Sequence, residues 1–205
     1  MRLFLFLFLP GGAALFPSFV FGQASSDYTA RILEYRKEYA LDLIQGERAP
    51  LQAKDTAYLD FYPPDPAYRV VADFIPTPDS EPFEMPTSSG RTKTFVQHGW
   101  LRFSLGGDTL QLAVYRNLML TAEMYKNHLF LPFKDLSCGE TTYGGGRYLD
   151  LSTEDIVDGK IVLDFNLLYN PYCAFSDGFN CPIPPTVNRL EVAIEAGEKT
   201  FKKRH

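Results

Sequence analysis

Beyond Pro50 the chain breaks into short runs rich in Val, Leu, Phe and Tyr, each bounded by Gly, Pro, Asp or Asn. The runs are Tyr68 to Ile75, Thr92 to Gln97, Trp100 to Leu105, Thr109 to Tyr115, Leu129 to Leu131, Lys160 to Phe165, Leu190 to Ile194 and Thr200 to Lys202. Runs of this length and spacing suit strands and are too short for helices. Gly106-Gly107-Asp108 supplies a hairpin turn between two of them, and Leu118 to Lys126 suits a second short helix. The Pro- and Ser-rich stretch from Pro76 to Gly90 reads as a long hairpin connection. Such a cadence predicts a mainly β, α+β fold, an antiparallel sandwich or barrel.

One helix precedes the strands. Tyr28, Ile32, Tyr35, Tyr39 and Leu43 recur at helical spacing between Asp27 and Gln45, charges fill the other face, and Gly46 supplies a stop. An amphipathic helix packed outside the β-rich body is expected, its tyrosine stripe facing that body. The same stripe, left exposed, would instead make the chain a protein-interaction module.

Residues 1–24 have the three-part layout of a cleavable signal: Arg2, an apolar run from Leu3 to Phe21 broken by Pro10, Gly11, Gly12 and Pro17, and a small-residue end at Gly22-Gln23-Ala24. The interruptions leave too little for a membrane span, which needs roughly 20 continuous helical residues. Export to the periplasm or the extracellular space follows as an expectation, with residues 25–205 forming one β-rich domain. No later apolar stretch is long enough to cross a membrane. Without the leader the chain carries 19 Lys+Arg against 25 Asp+Glu, a formal charge of −6, which argues against a nucleic-acid partner.

In an oxidising compartment Cys138, Cys173 and Cys181 are first of all disulfide candidates. Cys173 and Cys181 flank the turn-rich Ser176-Asp177-Gly178 and pair easily; Cys138 is left over. Free thiols and a zinc thiolate pair are the alternatives, the latter lacking a histidine nearby in sequence. No metal site and no cofactor motif is expected.

Residues 130–198 are dense in Gly, Pro, Tyr, Asn, Arg and Asp, a composition that suggests special turns and buried polar contacts or a site. Gly144-Gly145-Gly146-Arg147 fits no nucleotide-binding template, yet Arg147 beside a flexible backbone suits a carboxylate or phosphate. Asp164 and Asn166 alternate along one run and share a strand face, which Tyr169, Asn170 and Asn188 would extend as a polar wall. The leading reading is therefore a small polar or anionic ligand bound beside the Tyr143-to-Arg147 turn. Arg147, Asp164 and Asn166 would be its polar anchors and Tyr143, Tyr148 and Tyr169 its walls. A hydrolase of glycans or esters with Asp135 or Asp164 as acid/base is the alternative. A Cys138/His128 couple is conceivable on residue type alone.

Phe133-Lys134-Asp135, Thr142-Tyr143-Gly144, Gly146-Arg147-Tyr148-Leu149, Asp164-Phe165-Asn166, Tyr169-Asn170-Pro171, Cys173-Ala174, Cys181-Pro182 and Ala196-Gly197-Glu198 occur in this order, preceded by Phe61-Tyr62-Pro63 and Tyr68-Arg69-Val70. With these motifs the chain resembles the bacterial and archaeal proteins grouped as domain of unknown function 1684. The resemblance implies a single compact unit of this length, and since the family has no established activity it supplies no catalytic residues to carry over. It also implies cysteines at the positions of Cys173 and Cys181, whereas Cys138 departs from the family pattern.

Overall fold

The computed structural model describes residues 19–203. The leader expected over residues 1–24 lies, up to residue 18, outside the described residues. Helix α1 (Phe19–Asp42) is followed by seven strands: β1 (Arg69–Pro76), β2 (Phe83–Pro86), β3 (Thr92–Leu105), β4 (Asp108–Asn117), β5 (His128–Phe133), β6 (Arg147–Ser152) and β7 (Lys160–Asp164). They form one antiparallel sheet in the order β6-β5-β4-β3-β1-β7, with β2 also on β3, curled into a half-barrel. The expected mainly β class, with one helix at the N-terminal side, is what the fold shows.

β3 is the spine. Its first residues, 92–95, pair with β2, residues 99–102 pair with β1, and its other edge pairs with β4 along nearly its whole length. A bulge between Gln97 and Gly99 marks where β3 changes partner, and bulges of this kind bend a sheet. That bend joins the two runs on either side of His98 into a single strand. At its far end Gly106 and Gly107 both take positive φ, 61° and 94°, as a tight two-residue hairpin onto β4 requires.

Alternation along the central strands sorts side chains to two covered faces. Leu112 and Val114 of β4 and Leu129, Leu131 and Phe133 of β5 enter the main core, closed by Phe165, Leu168, Leu190, Ile194 and Ala196 from the segments after β7. Ala113 and Tyr115, Phe130, and Tyr148 point the other way, onto Phe95 and Met85. Both faces are covered here, so β5 is buried at every position from Leu129 to Phe133.

β4 and β5 pair at a single position, Tyr115 opposite Phe130. Pro132 has no N–H to offer a ladder there, and the side chain of Asn188 fills the gap. Its Oδ1 accepts from Ala113 N at 2.7 Å, and its Nδ2 donates to Ala113 O at 2.7 Å and to Pro132 O at 2.8 Å. A loop asparagine stands in for a missing stretch of strand.

Four expectations are corrected. The runs Leu190 to Ile194 and Thr200 to Lys202 form no strand: in the first, Arg147 takes the carbonyl of Ile194 and Asp135 its N–H, and in the second the N–H groups of Thr200 and Lys202 go to separate segments, at Thr141 O and Tyr58 O. Leu118 to Lys126 holds only a single 3₁₀ turn at Glu123–Tyr125. The supposed connection from Pro76 to Gly90 contains β2, and β6 occupies part of the stretch read as turns.

Candidate functional site

Of the residues expected to contact a ligand, Arg147 falls in one polar cluster, Asp164 and Asn166 in a second, and Tyr148 and Tyr169 at a cavity, while Glu198 centres a third cluster. The first cluster centres on Arg147, whose side chain is fully buried. Its Nη1 donates to the carbonyls of Ala196 and Glu198, and its Nη2 to Ile194 O at 2.8 Å and Asp135 Oδ2 at 2.9 Å. Ser137 Oγ donates to Asp135 Oδ1 and shares a hydrogen bond with Thr142 Oγ1. The neighbouring Gly146 has φ 94°, and a Cβ there would lie 2.6 Å from Phe133 O and 2.8 Å from Pro184 Cγ. This turn therefore brings the backbone against β5 and aims Arg147 inward. The guanidinium binds the chain's own carbonyls, the chemistry read from sequence as anion recognition.

Asp164 and Asn166 form the second cluster, under α1. Asp164 ends β7 and Asn166 lies in the 3₁₀ turn that follows, where Asp164 Oδ1 accepts from Asn166 N. Tyr28 OH, from α1, donates to Asp164 Oδ1 at 2.9 Å and accepts from Asn166 Nδ2 at 2.8 Å. Asn166 also clasps the Asp65 backbone, accepting from its N–H and donating to its carbonyl, both at 2.8 Å. Arg69 Nε lies 3.8 Å from Asp164. These two residues thus meet each other and the helix.

The third cluster holds Glu198, which is fully buried. Its Oε2 accepts from Tyr39 OH at 2.8 Å and Asn170 N at 2.7 Å, while Oε1 has no partner among the described residues. Burial outweighs these hydrogen bonds and pushes its pKa up to about 7. Burial and the adjacent carboxylate also raise the Tyr39 hydroxyl well above the usual tyrosine range, so that hydroxyl remains a donor.

The tyrosine stripe packs on the body as expected. Tyr28, Ile32 and Leu43 retain only 6%, 4% and 1% of their exposure, which removes the exposed docking face that an interaction module would need.

A cavity of about 840 Å³ lies between α1 and the sheet face that carries Phe95, Phe130 and Tyr148. Tyr35 and Tyr39 come from the helix, and Tyr169, Tyr172 and Phe179 from the loops after β7. The rings support one another: Tyr148 meets Phe130 at 4.7 Å and Tyr169 at 5.8 Å between centroids, and Tyr39 meets Tyr169 at 6.1 Å. Tyr148 OH donates to Pro182 O, and Tyr169 OH to Asp150 Oδ2 at 2.8 Å. Asp150 Oδ1 in turn shares a hydrogen bond of 2.9 Å with His128 Nε2. Burial raises the pKa of Tyr148 and Tyr169, Asp150 adding to the effect at Tyr169, so both stay neutral donors.

Lys93 of β3 also lines the cavity. Burial alone lowers its pKa, and among the described residues no carboxylate pairs with it. No serine, threonine or free cysteine is among the lining residues. Of the residues singled out from sequence, Tyr148 and Tyr169 line this cavity, whereas Arg147, Asp164, Asn166 and Asp135 do not. Tyr143 is half-buried beside Gly145, outside the lining set. Lys93, His128 and Asp150 were not singled out as ligand contacts, since an isolated Lys, His or Asp in a strand carries no motif.

A disulfide joins Cys173 and Cys181, with Cα atoms 6.3 Å apart, and Cys181 belongs to the cavity wall. Cys138 is free and accepts from Asp135 N at 3.4 Å in the turn after β5, while His128 is engaged with Asp150. Among the described residues there is no group of three or more potential metal ligands, and no helix is long and apolar enough to cross a membrane.

Comparison with known proteins places these features in a family. The model described as protein of unknown function (DUF1684) matches residues 54–199. A solution NMR structure of an uncharacterised protein from gene locus rrnAC0354 of Haloarcula marismortui is similar at 35% identity. That match covers 89% of this chain and 99% of the other, with a TM-score of 0.66. A search of the curated proteins found no match.

Proposed function

Because the chain belongs to the DUF1684 family of proteins of unknown function, its role has to be argued from its own geometry, and we propose that it is an exported single-domain protein that binds a small ligand with a flat apolar body and a polar or anionic group. The binding place is the cavity between α1 and the sheet, rather than a pocket beside the Tyr143-to-Arg147 turn. The carrying observation is the coincidence of an aromatic wall, built from both sheet and helix, with the unpaired Lys93 ammonium in one cavity. Its volume, about 840 Å³, suits a small molecule. Rings held by neighbouring rings offer preformed stacking surfaces at little entropic cost. An ammonium already partly stripped of water gains more from a ligand anion than an exposed one would.

Export rests on the leader-like residues 1–24 and accords with the Cys173–Cys181 disulfide. The lining residues include no serine, threonine or free cysteine, so the cavity offers no aliphatic hydroxyl or thiol nucleophile. Asp135 and Asp164, either of which would serve as acid/base in a hydrolase reading, are committed to Arg147 and Tyr28.

A thermal-shift and NMR titration with aromatic carboxylates and their neutral amides tests the proposal. Carboxylates should stabilise the protein and perturb Phe130, Tyr148 and Tyr169. Lys93→Met should remove the preference for the carboxylate over the amide, and Leu120→Trp, which fills the rim, should abolish both responses. If no compound binds, or if Leu120→Trp leaves binding intact, the cavity is not the site.

A further inference from the structure

The cavity presents unpaired charge of both signs. Glu38 and Asp42 stand four residues apart on α1, on one helix face, and both line the cavity. Across from the helix the sheet supplies Lys93, and Arg48, just beyond α1, lies over the Phe179 ring at 5.6 Å. Among the described residues none of these four side chains makes an ion pair. The carboxylate of Asp150, by contrast, is occupied by His128 and Tyr169. Acids on the helix, Lys93 on the sheet and Arg48 in the turn beyond the helix, left without ion pairs beside aromatic rings, make a template for a ligand that carries both charges on a planar body.

We infer that the ligand is a zwitterion with an aromatic group, of the class of aromatic amino acids and their close relatives, an inference that rests on the cavity being the binding site. Its ammonium faces Glu38 and Asp42, its carboxylate faces Lys93 and Arg48, and its ring stacks among Tyr35, Tyr148 and Phe130. A ligand with only one charge leaves the opposite pair without compensation, so selectivity comes from loss of one set of contacts.

Titration of the intact protein with phenylalanine, 3-phenylpropionate and phenethylamine, followed by calorimetry and NMR, separates the charges. Phenylalanine should bind about tenfold more tightly than either single-charge analogue, a difference of about 1.4 kcal/mol. Lys93→Met should bring phenylalanine down to the level of phenethylamine. The double variant Glu38→Gln/Asp42→Asn should bring it down to the level of phenylpropionate. Glu38 and Asp42 are exposed, so that variant should melt like the parent. If phenylpropionate binds as tightly as phenylalanine and the acid variant changes nothing, the zwitterion assignment falls while the anion-binding cavity stands. If phenethylamine matches phenylalanine, the assignment falls as well, and with it the role of Lys93 as partner of a ligand anion. If none of the three probes and none of the aromatic carboxylates binds, both readings fall together.

Discussion

Arg147 Nη2 and Asp135 Oδ2 meet at 2.9 Å with neither side chain reaching water. The pair does not stand alone, because Arg147 also takes carbonyls of Ile194, Ala196 and Glu198. The ion pair thereby helps to fix the path of residues 194–198, which otherwise rests on an isolated bridge to Phe61 and backbone hydrogen bonds with Tyr62 and Leu168. Removal of one buried partner strands the other charge, so Asp135→Leu or Arg147→Met should each cost about 3–5 kcal/mol. The joint replacement Asp135→Leu/Arg147→Met should cost less than the two single changes added together. Urea unfolding of the three variants checks this, and additive losses would show that the charges act independently.

Asn188 carries three backbone partners at the gap between β4 and β5. Asn188→Ala leaves Ala113 N, Ala113 O and Pro132 O unsatisfied, and about 2–4 kcal/mol of stability should go with them. Asn188→Asp keeps the acceptor and loses the donors, which places a carboxylate against two carbonyls. It should be at least as damaging at neutral pH and should recover partly in acid. Chemical denaturation at two pH values distinguishes the two variants.

Tyr28 is the link between α1 and the Asp164–Asn166 pair. Tyr28→Phe preserves the ring and deletes the hydroxyl, so about 1–2 kcal/mol is expected. The loss should be local. Amide exchange should quicken in α1 around residues 26–35 and remain slow in β4 and β5, because the core of the sheet does not use this contact. Equal acceleration throughout would show that helix and sheet unfold as one unit.

Glu198 makes stability pH-dependent near neutrality. Its carboxyl is held near 7 in the folded chain against a reference of 4.5, so between these values the folded state binds more proton than the unfolded one. Stability therefore falls as pH rises through that window, by about 3 kcal/mol if this group acts alone. Below the window that stability is fully present and the group adds no further pH dependence. Glu198→Gln should flatten the slope between pH 5 and about 8 and should exceed the parent in stability at the alkaline end. A parent whose stability is level across this range would show that the carboxyl is not retained in its neutral form.

The helix was readable from sequence because Tyr28, Ile32, Tyr35, Tyr39 and Leu43 keep a 3.6-residue period and the next residues supply a glycine stop. Five of the strands were readable for the matching reason. β6 was hidden because Arg147 and Tyr148 follow three glycines, and a buried arginine reads as a surface or ligand residue when its carbonyl partners lie about fifty positions away. The Leu190 to Ile194 run misled for the converse reason: its composition is that of a strand, but side-chain groups of Arg147 and Asp135 take up part of its backbone hydrogen bonding. At the site, tyrosines 148 and 169 were visible as aromatic members of a dense segment. Lys93 was not, since its lack of a partner is a property of space and leaves no trace in its neighbours along the chain.

The first helix is fastened by the last quarter of the protein. Tyr28 waits for Asp164 and Asn166, 136 and 138 positions later, and Tyr39 for Glu198, 159 positions later. The helix is thus made first and seated last, its hydrogen-bond partners following it by 136 to 159 positions. Until those partners exist the tyrosine hydroxyls of the helix have nothing to bind, and the wall that the helix lends to the cavity is set only as the chain nears completion.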